Sequence, residues 1–159
     1  MTEWTSGILV DGLEARLVAS DNGILRIHPG GGAPPEGRHS PGNPVLLEAA
    51  RQLRAYFAGE LREFRLPLDL RGTEFQLRVW RQLLTIPYGE TRSYGEIACA
   101  IGAPRAVRAV GAANGANPIA IVVPCHRVIG SGGKLVGYGG GLPLKKRLLD
   151  LERAAPLFL

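Results

Sequence analysis

Thr73 with Gln76 and Ser93 with Glu96 repeat one helix-opening pattern within a short stretch, a hydroxyl residue followed three positions later by Glu or Gln. Such a pair satisfies two backbone N–H groups reciprocally and so marks where a helix begins. The first box opens "EFQLRVWRQLLTI", where Phe75, Val79, Leu83 and Ile86 share one face before Pro87 and Gly89 end the run. The second opens "SYGEIACAIG", which Gly102 stops, and Pro104 is placed to start "PRAVRAVGAAN" with Arg105 and Arg108 projecting at adjacent turns. Two short helices joined at a tight glycine are the helix-turn-helix pattern, whose second helix commonly lies against DNA. Helix hairpins with no nucleic acid fit the same signal.

The chain before residue 70 reads differently. "ILVDGLEARLVAS" and "GILRIHP" carry β-branched and apolar residues around the turn signal Asp21-Asn22-Gly23, predicting a small antiparallel sheet. Pro29 to Pro44 is a Gly/Pro-rich loop without periodicity, a surface excursion; His28, which flanks it, and His39, within it, have no partners at metal spacing. "VLLEAARQLRAYFAG" then sets Leu46, Ala50, Leu53 and Phe57 at helical spacing, closed by Gly59. The expected fold is α+β, with a small N-terminal antiparallel-sheet-plus-helix lobe (residues 1–70) packed on a mainly helical C-terminal domain (71–159) that contains the helix-turn-helix. Beyond it, "IAIVV" is expected as a short buried strand, "RVIGSGGKLVGYGGG" as a hairpin, and "LPLKKRLLDLERA" as a helix burying Leu144, Leu148 and Leu151.

Charge separates the two parts further. The net charge is +5, but residues 1–70 hold 7 basic against 9 acidic side chains and residues 71–159 hold 12 against 5. A positive field on one lobe favours polyanions, nucleic acid above all. No apolar run is long enough to span a membrane, and the N-terminus lacks a basic region followed by an apolar core. A cytoplasmic protein, monomeric in solution, is the expectation. Two cysteines form no disulfide framework, and neither a metal nor a cofactor is called for.

One of the two cysteines, Cys125, directly precedes one of three histidines in "IVVPCHRVIGSGG". A thiol attacks as thiolate and needs a neighbouring charge, base or helix N-terminus. In an extended segment, neighbouring side chains point to opposite faces, so Cys125 and His126 can cooperate only through a bend or a water. A basic histidine also needs a partner to fix its tautomer; Glu152 is one candidate that spacing alone does not select. A buried cysteine at the end of a buried strand fits the same residues. Cys99, between Ala98 and Ala100 with no basic neighbour, reads as core filler.

"PCHRV", preceded by "GANPIAIVV", followed by "IGSGGKLVGYGGGLPLKKRLLDLE" and reaching back through "IPYGETRSYGEIACAIGAPRAVRAVGAAN", resembles the O6-alkylguanine-DNA alkyltransferases. The likeness covers roughly residues 73 to 153; the first 70 match only in style, as the scaffold lobe of that family. The resemblance implies one irreversible transfer of an alkyl group from O6 of a damaged guanine in double-stranded DNA to Cys125. A water would link Cys125 to His126, and Glu152 would polarise His126. Tyr94 would help rotate the nucleotide out and donate to the departing guanine. Arg108 would be the finger that fills the vacated space, with Arg105, Ala109 and Gly111 at the DNA surface. Asn117 would tie the helix-turn-helix to the active-site segment. Backbone carbonyls of Cys125 and Val128 would accept from the guanine amine, Tyr138 would wall the pocket, and Gly139 would offer a backbone N–H where some relatives carry serine.

Three other functions fit parts of the sequence. A non-catalytic lesion binder of the alkyltransferase-like type would lack the cysteine that this chain keeps. A helix-turn-helix regulator would need more than Ala and Gly on its recognition helix to read base edges. A Cys/His hydrolase would need an oxyanion hole that no motif announces. Whether groups larger than methyl are taken, and whether molecules assemble cooperatively on DNA, is open at this level.

Overall fold

A computed structural model describes residues 2–30, 37–135, 138 and 141–154. The chain divides into two compact units: Met1–Arg71 with Pro118–Ala120, and Gly72–Asn117 with Ile121–Leu159. The fold is α+β.

In the first unit, β1 (Trp4–Val10), β2 (Leu13–Ser20) and β3 (Gly23–Pro29) form an antiparallel meander, and β4 (Arg38–His39) adds to β1 in parallel, giving the order β3-β2-β1-β4. The β1–β2 turn is Asp11-Gly12, both at positive φ (47° and 78°). That geometry matches the right-handed twist of a hairpin and is why Asp-Gly sits there; reading the two strands as one run overlooked it. α1 (Pro44–Phe57) packs on β1, β2 and β3. Asn43 caps it by accepting from Val45 N and Leu46 N. It buries Leu46, Ala49, Leu53, Tyr56 and Phe57, each large apolar side chain contributing about 1.5–3 kcal/mol. Gly23 (φ 143°) lies where a Cβ would come within 2.4 Å of Pro67 O. Glycine there lets Pro67–Asp69 run beside β3, with Ile24 N donating to Pro67 O and Asp69 N to Ile24 O, both at 2.8 Å. Pro118–Ala120 joins the same strand through Ile27 N to Pro118 O (3.0 Å) and Ala120 N to Ile27 O (3.2 Å). His28 and His39 are exposed.

The second unit begins with α2 (Glu74–Leu83), opened by the Thr73/Gln76 capping box. A two-residue strand β5 (Arg92–Ser93) leads into α3 (Tyr94–Ala100), opened by the Ser93/Glu96 box. After Gly102 (φ 77°) comes α4 (Val107–Gly115), and α2, α3 and α4 pack on one another. Trp80 is buried between them and its indole N–H donates to Ala113 O at 2.8 Å, fixing α2 against α4. β6 (Val128–Ile129) and α5 (Leu142–Ala154) complete the unit.

Several local expectations are corrected. α4 begins at Val107, not Pro104: Pro104 and Arg105 lie in a turn, and Ala106 stands at the N-cap without a side-chain cap bond. "IAIVV" is no strand: only Ile119 bridges to Ile27, after which the chain turns through Ile121 at φ 74°, a left-handed conformation that is costly for a β-branched residue. The stretch from Val128 does not open a hairpin in the described residues; Val128–Ile129 pairs in parallel with Arg92–Ser93, and Ser131–Gly133 is a 3₁₀ turn. On α5, Leu144, Leu148 and Leu149 are buried while Leu151 is only half-buried. Cys99 is exposed, not core: α3 buries Ile97 and Ala98 and turns the next position outward.

Candidate active site

The segment from Asn117 to Val128 is shaped by a few backbone constraints. Asn117 Nδ2 donates to Val123 O at 2.8 Å, closing the loop that contains Ile121. Pro124 ends that loop, and Cys125–Arg127 form one 3₁₀ turn, with Val128 N donating to Cys125 O. The turn is the bend that lets adjacent residues serve one site. Cys125 is 5% exposed and His126 fully buried.

His126 faces α5. Its Nε2 lies 2.7 Å from Glu152 Oε2, so the Nε2–H tautomer donates to the carboxylate and Nδ1 keeps its lone pair. That Nδ1 is buried with no partner among the described residues. Glu152, 1% exposed, also accepts from Arg127 Nε (2.8 Å) and Nη2 (3.0 Å), while Arg127 Nη1 donates to Ile86 O at 2.7 Å. The guanidinium lies 5.7 Å from the Tyr88 ring centroid. A second buried cation, Lys145, sits two helical turns before Glu152 on α5; its Nζ donates to Val128 O at 2.5 Å and lies 6.0 Å from the Tyr94 ring centroid.

These surroundings set the protonation states. Burial opposes ionisation of Glu152, but hydrogen bonds from His126 and Arg127 overcome it and hold the carboxyl well below the usual range. His126 is pushed below its ordinary 6.5, chiefly by burial and also by the charges of Arg127 and Lys145, against the pull of Glu152; it is neutral at pH 7 and able to accept a proton. Burial pushes the Cys125 thiol above its ordinary 9.0, opposed by a hydrogen bond from Asn117, the charge of Lys145 and the N–H groups of Cys125 and His126. The resting nucleophile is therefore a thiol whose anion is provided with donors in advance. With His126 neutral, Arg127 and Lys145 outnumber Glu152 by one charge, which a thiolate would balance.

Tyr94 opens α3 and is half-buried; burial first, then the Cys125 charge, raises its phenol pKa, and a hydrogen bond from Asn114 opposes the rise. Tyr138 has a buried hydroxyl with no partner among the described residues and a phenol pKa raised mainly by burial. The site thus joins a buried thiol, a neutral imidazole backed by a carboxylate, and a phenol. That set suits attack by sulfur with proton removal on one side and proton supply on the other. Among the described residues no group of three or more His, Cys, Asp or Glu side chains is arranged to hold a metal, and no helix is long and apolar enough to cross a membrane.

Residues 74–154 match the family described as 6-O-methylguanine DNA methyltransferase, DNA binding domain, and residues 16–70 match the 6-O-methylguanine DNA methyltransferase, ribonuclease-like domain. The chain belongs to this methyltransferase family. Methylated-DNA-protein-cysteine methyltransferase of Mycolicibacterium paratuberculosis is 76% identical over 112 residues, 70% of this chain and 68% of that protein. The one from Mycobacterium tuberculosis is 73% identical over 106 residues, 67% of this chain and 64% of that protein, so the aligned stretch spans less than two thirds of that relative. In structure, Mycobacterium tuberculosis O6-methylguanine methyltransferase superposes with a TM-score of 0.88 at 50% identity, over 99% of this chain and all of that one. The Mycobacterium tuberculosis OGT complex with DNA gives 0.85 at 52%, covering 98% and 94%.

The residues expected to act together fall within the second unit. Cys125, His126, Glu152, Asn117 and Val128 form the bonded cluster above, and Tyr94 borders it. Gly139 lies outside the described residues. Arg105 lies in the turn before α4, and Arg108 and Ala109 in its first turn; all three are exposed, while Gly111 is half-buried because Tyr94 packs beside it. The carbonyls expected to meet a guanine amine already accept from the protein, Cys125 O from Asn114 and Val128 N and Val128 O from Lys145. Sequence reading passed over two buried polar residues, Asn114 and Lys145, and saw Arg127 only as a charge next to the Cys125-His126 pair. Lys145 and Glu152, seven apart on one face of an otherwise leucine-lined helix, were the available signal.

Proposed function

We propose that this protein repairs double-stranded DNA by taking the alkyl group from O6 of a damaged guanine onto Sγ of Cys125, once per molecule, as a cytoplasmic monomer without a cofactor. The observation that carries the reading is the buried Cys125 on a 3₁₀ turn whose next residue, His126, is backed by Glu152 at 2.7 Å. Family membership and the DNA complex of the Mycobacterium tuberculosis relative support it.

A thiol this enclosed cannot reach O6 inside a base stack, so the nucleotide must turn out of the duplex. Arg108, exposed in the first turn of α4, fills the gap it leaves, with Arg105 on the backbone. Ala109 and Gly111 let the helix approach closely without reading bases. In the pocket, Tyr138 provides a wall, and the carbonyl oxygens of Cys125 and Val128 accept from the guanine amine in addition to the donors they already hold. The Sγ–carbon bond forms as the carbon–O6 bond breaks. His126 Nδ1 receives the thiol proton, through a water, while Glu152 stabilises the resulting imidazolium. Tyr94 protonates the departing guanine and regains a proton through water from the His126 imidazolium, so in net the thiol proton ends on the base. The thioether has no leaving group to regenerate the thiol, and the molecule acts once.

Incubating the protein with a duplex carrying O6-methylguanine tests this: one methyl group per molecule, found on the Cys125 peptide, and none with Cys125→Ser. Sustained turnover by a small amount of protein, or label on Cys99, overturns it.

A further inference from the structure

Asn114 is a polar residue in the last turn of α4, 2% exposed among alanines and glycines. Its Nδ2 donates to Cys125 O at 3.4 Å, and the same amide hydrogen-bonds the Tyr94 hydroxyl. Its Oδ1 is buried without a partner among the described residues. One turn earlier, a Cβ on Gly111 would lie 4.0 Å from Cδ1 and Cε1 of Tyr94, so the tyrosine ring runs along α4 from Gly111 toward Asn114. For stability alone this is a poor arrangement, because an apolar side chain of the same size would fill the space and leave no orphan oxygen.

What the amide does gain is direction. A carbonyl can only accept, so Cys125 O turns the nitrogen end of Asn114 toward itself, and the second N–H of that nitrogen is what meets the phenol oxygen. A phenol that accepts from Asn114 cannot donate back to the same nitrogen. Its own hydrogen is turned off α4.

We infer that Asn114 is a positioning residue: it anchors the carbonyl of the nucleophile's residue and, from the same nitrogen, orients the Tyr94 hydroxyl so that its proton is offered to the departing guanine. The inference rests on the reading of Tyr94 as proton donor and adds the residue that aims it.

A double-mutant cycle tests it, using Asn114→Leu, Tyr94→Phe and the two together in single-turnover transfer from a duplex carrying O6-methylguanine, at saturating protein. A thiol reagent, iodoacetamide, is run in parallel because its departing iodide needs no proton. Each single substitution is expected to slow transfer on the order of tenfold, a partial loss of general-acid help, and the double variant to be no slower than Tyr94→Phe alone. Alkylation of Cys125 by iodoacetamide should be unchanged in all three. If Asn114→Leu does not fold, Asn114→Asp takes its place, with the same shape and, once ionised, no N–H to give; the same lack of additivity is expected. Additive losses, a wild-type rate for the Asn114 variant, or an equal slowing with iodoacetamide overturn the positioning role while leaving Tyr94 as donor. A wild-type rate for Tyr94→Phe overturns the donor reading and the inference together.

Discussion

Arg127 is the residue whose replacement tests the buried charge cluster most directly. Its guanidinium makes two bonds to Glu152, at 2.8 and 3.0 Å, and one to Ile86 O at 2.7 Å. Arg127→Met keeps an unbranched apolar stem and removes all three. Glu152 would then be left buried against His126, with a longer 3.4 Å contact from Gly89 N. Breaking a buried ion pair by removing one partner costs about 3–5 kcal/mol, which for a chain of this length lowers Tm by roughly 10 °C. The chemical consequence has a definite sign. Arg127 is one of the charges that push the His126 pKa down, and Glu152 is what pulls it up. Without Arg127 one of the forces that lower it is gone, while burial, the largest, and the Lys145 charge remain, so His126 protonates at a higher pH than before and once protonated cannot take the thiol proton. The pKa of His126 therefore rises, and transfer falls off with acid at a higher pH than in the parent protein. Single-turnover transfer from O6-methylguanine duplex against pH, with thermal melts on the same samples, reads both effects. A variant with an unaltered pH profile and less than about 1 kcal/mol lost, the level of an exposed pair, would refute the reasoning.

Arg108→Ala should slow repair of duplex DNA yet leave reaction of Cys125 with a free O6-alkylguanine base unchanged, since only the duplex needs extrusion; equal slowing of both would remove the finger role. Glu152→Gln should alter acid stability: the depressed carboxyl contributes stability that is present above its ordinary 4.5 and lost as pH falls toward its folded value. Denaturant titrations at pH 7 and below 4.5 should then converge for parent and variant at the acid end, and a constant gap across that range would contradict the assigned ionisation.

How much of this was legible in the sequence follows from the range of the interactions. Thr73/Gln76 and Ser93/Glu96 announce their helices because each box is closed by side chains three residues apart, and both are formed as read. The start of α4 has no such device, and the proline that suggested an earlier one stands three residues outside the helix. "IAIVV" is apolar whether it is a strand or a buried turn, so nothing local distinguishes Ile119, which bridges to Ile27, from Ile121, which reverses the chain. Cys125 and His126 drew notice as rare neighbours. Glu152 was one candidate that spacing did not select and resemblance did, because the carboxylate at 2.7 Å is 26 positions away. Arg127 could be seen but not interpreted, because what gives it meaning is Glu152 on a distant helix. Asn114 looked like one more residue in an Ala/Gly helix until Tyr94 and Cys125 were found beside it.

The pH dependence of the intact protein brings these parts together. A cysteine nucleophile activated by a permanently ionised neighbour works as a thiolate at rest, and its rate then follows a depressed thiol pKa, with a limb below neutrality. This site is built otherwise. Burial holds the thiol protonated beyond its ordinary 9.0 and holds the imidazole neutral below its ordinary 6.5. Between those two values both groups are in the forms that the reaction starts from, a thiol able to give a proton and a His126 Nδ1 able to receive it. Asn117, Lys145 and two backbone N–H groups stabilise the sulfur only as its charge develops. Single-turnover transfer, measured at saturating protein so that DNA binding does not enter, should therefore be level from pH 6.5 to 9.0 and decline on the acid side only below that range as His126 protonates. Titration of Cys125 by a thiol reagent should show no thiolate plateau within the same range. A rate that climbs through a midpoint between 6.5 and 9.0 would mean that the thiolate forms before the substrate is engaged, and that the transfer of the proton to His126 is not part of the displacement.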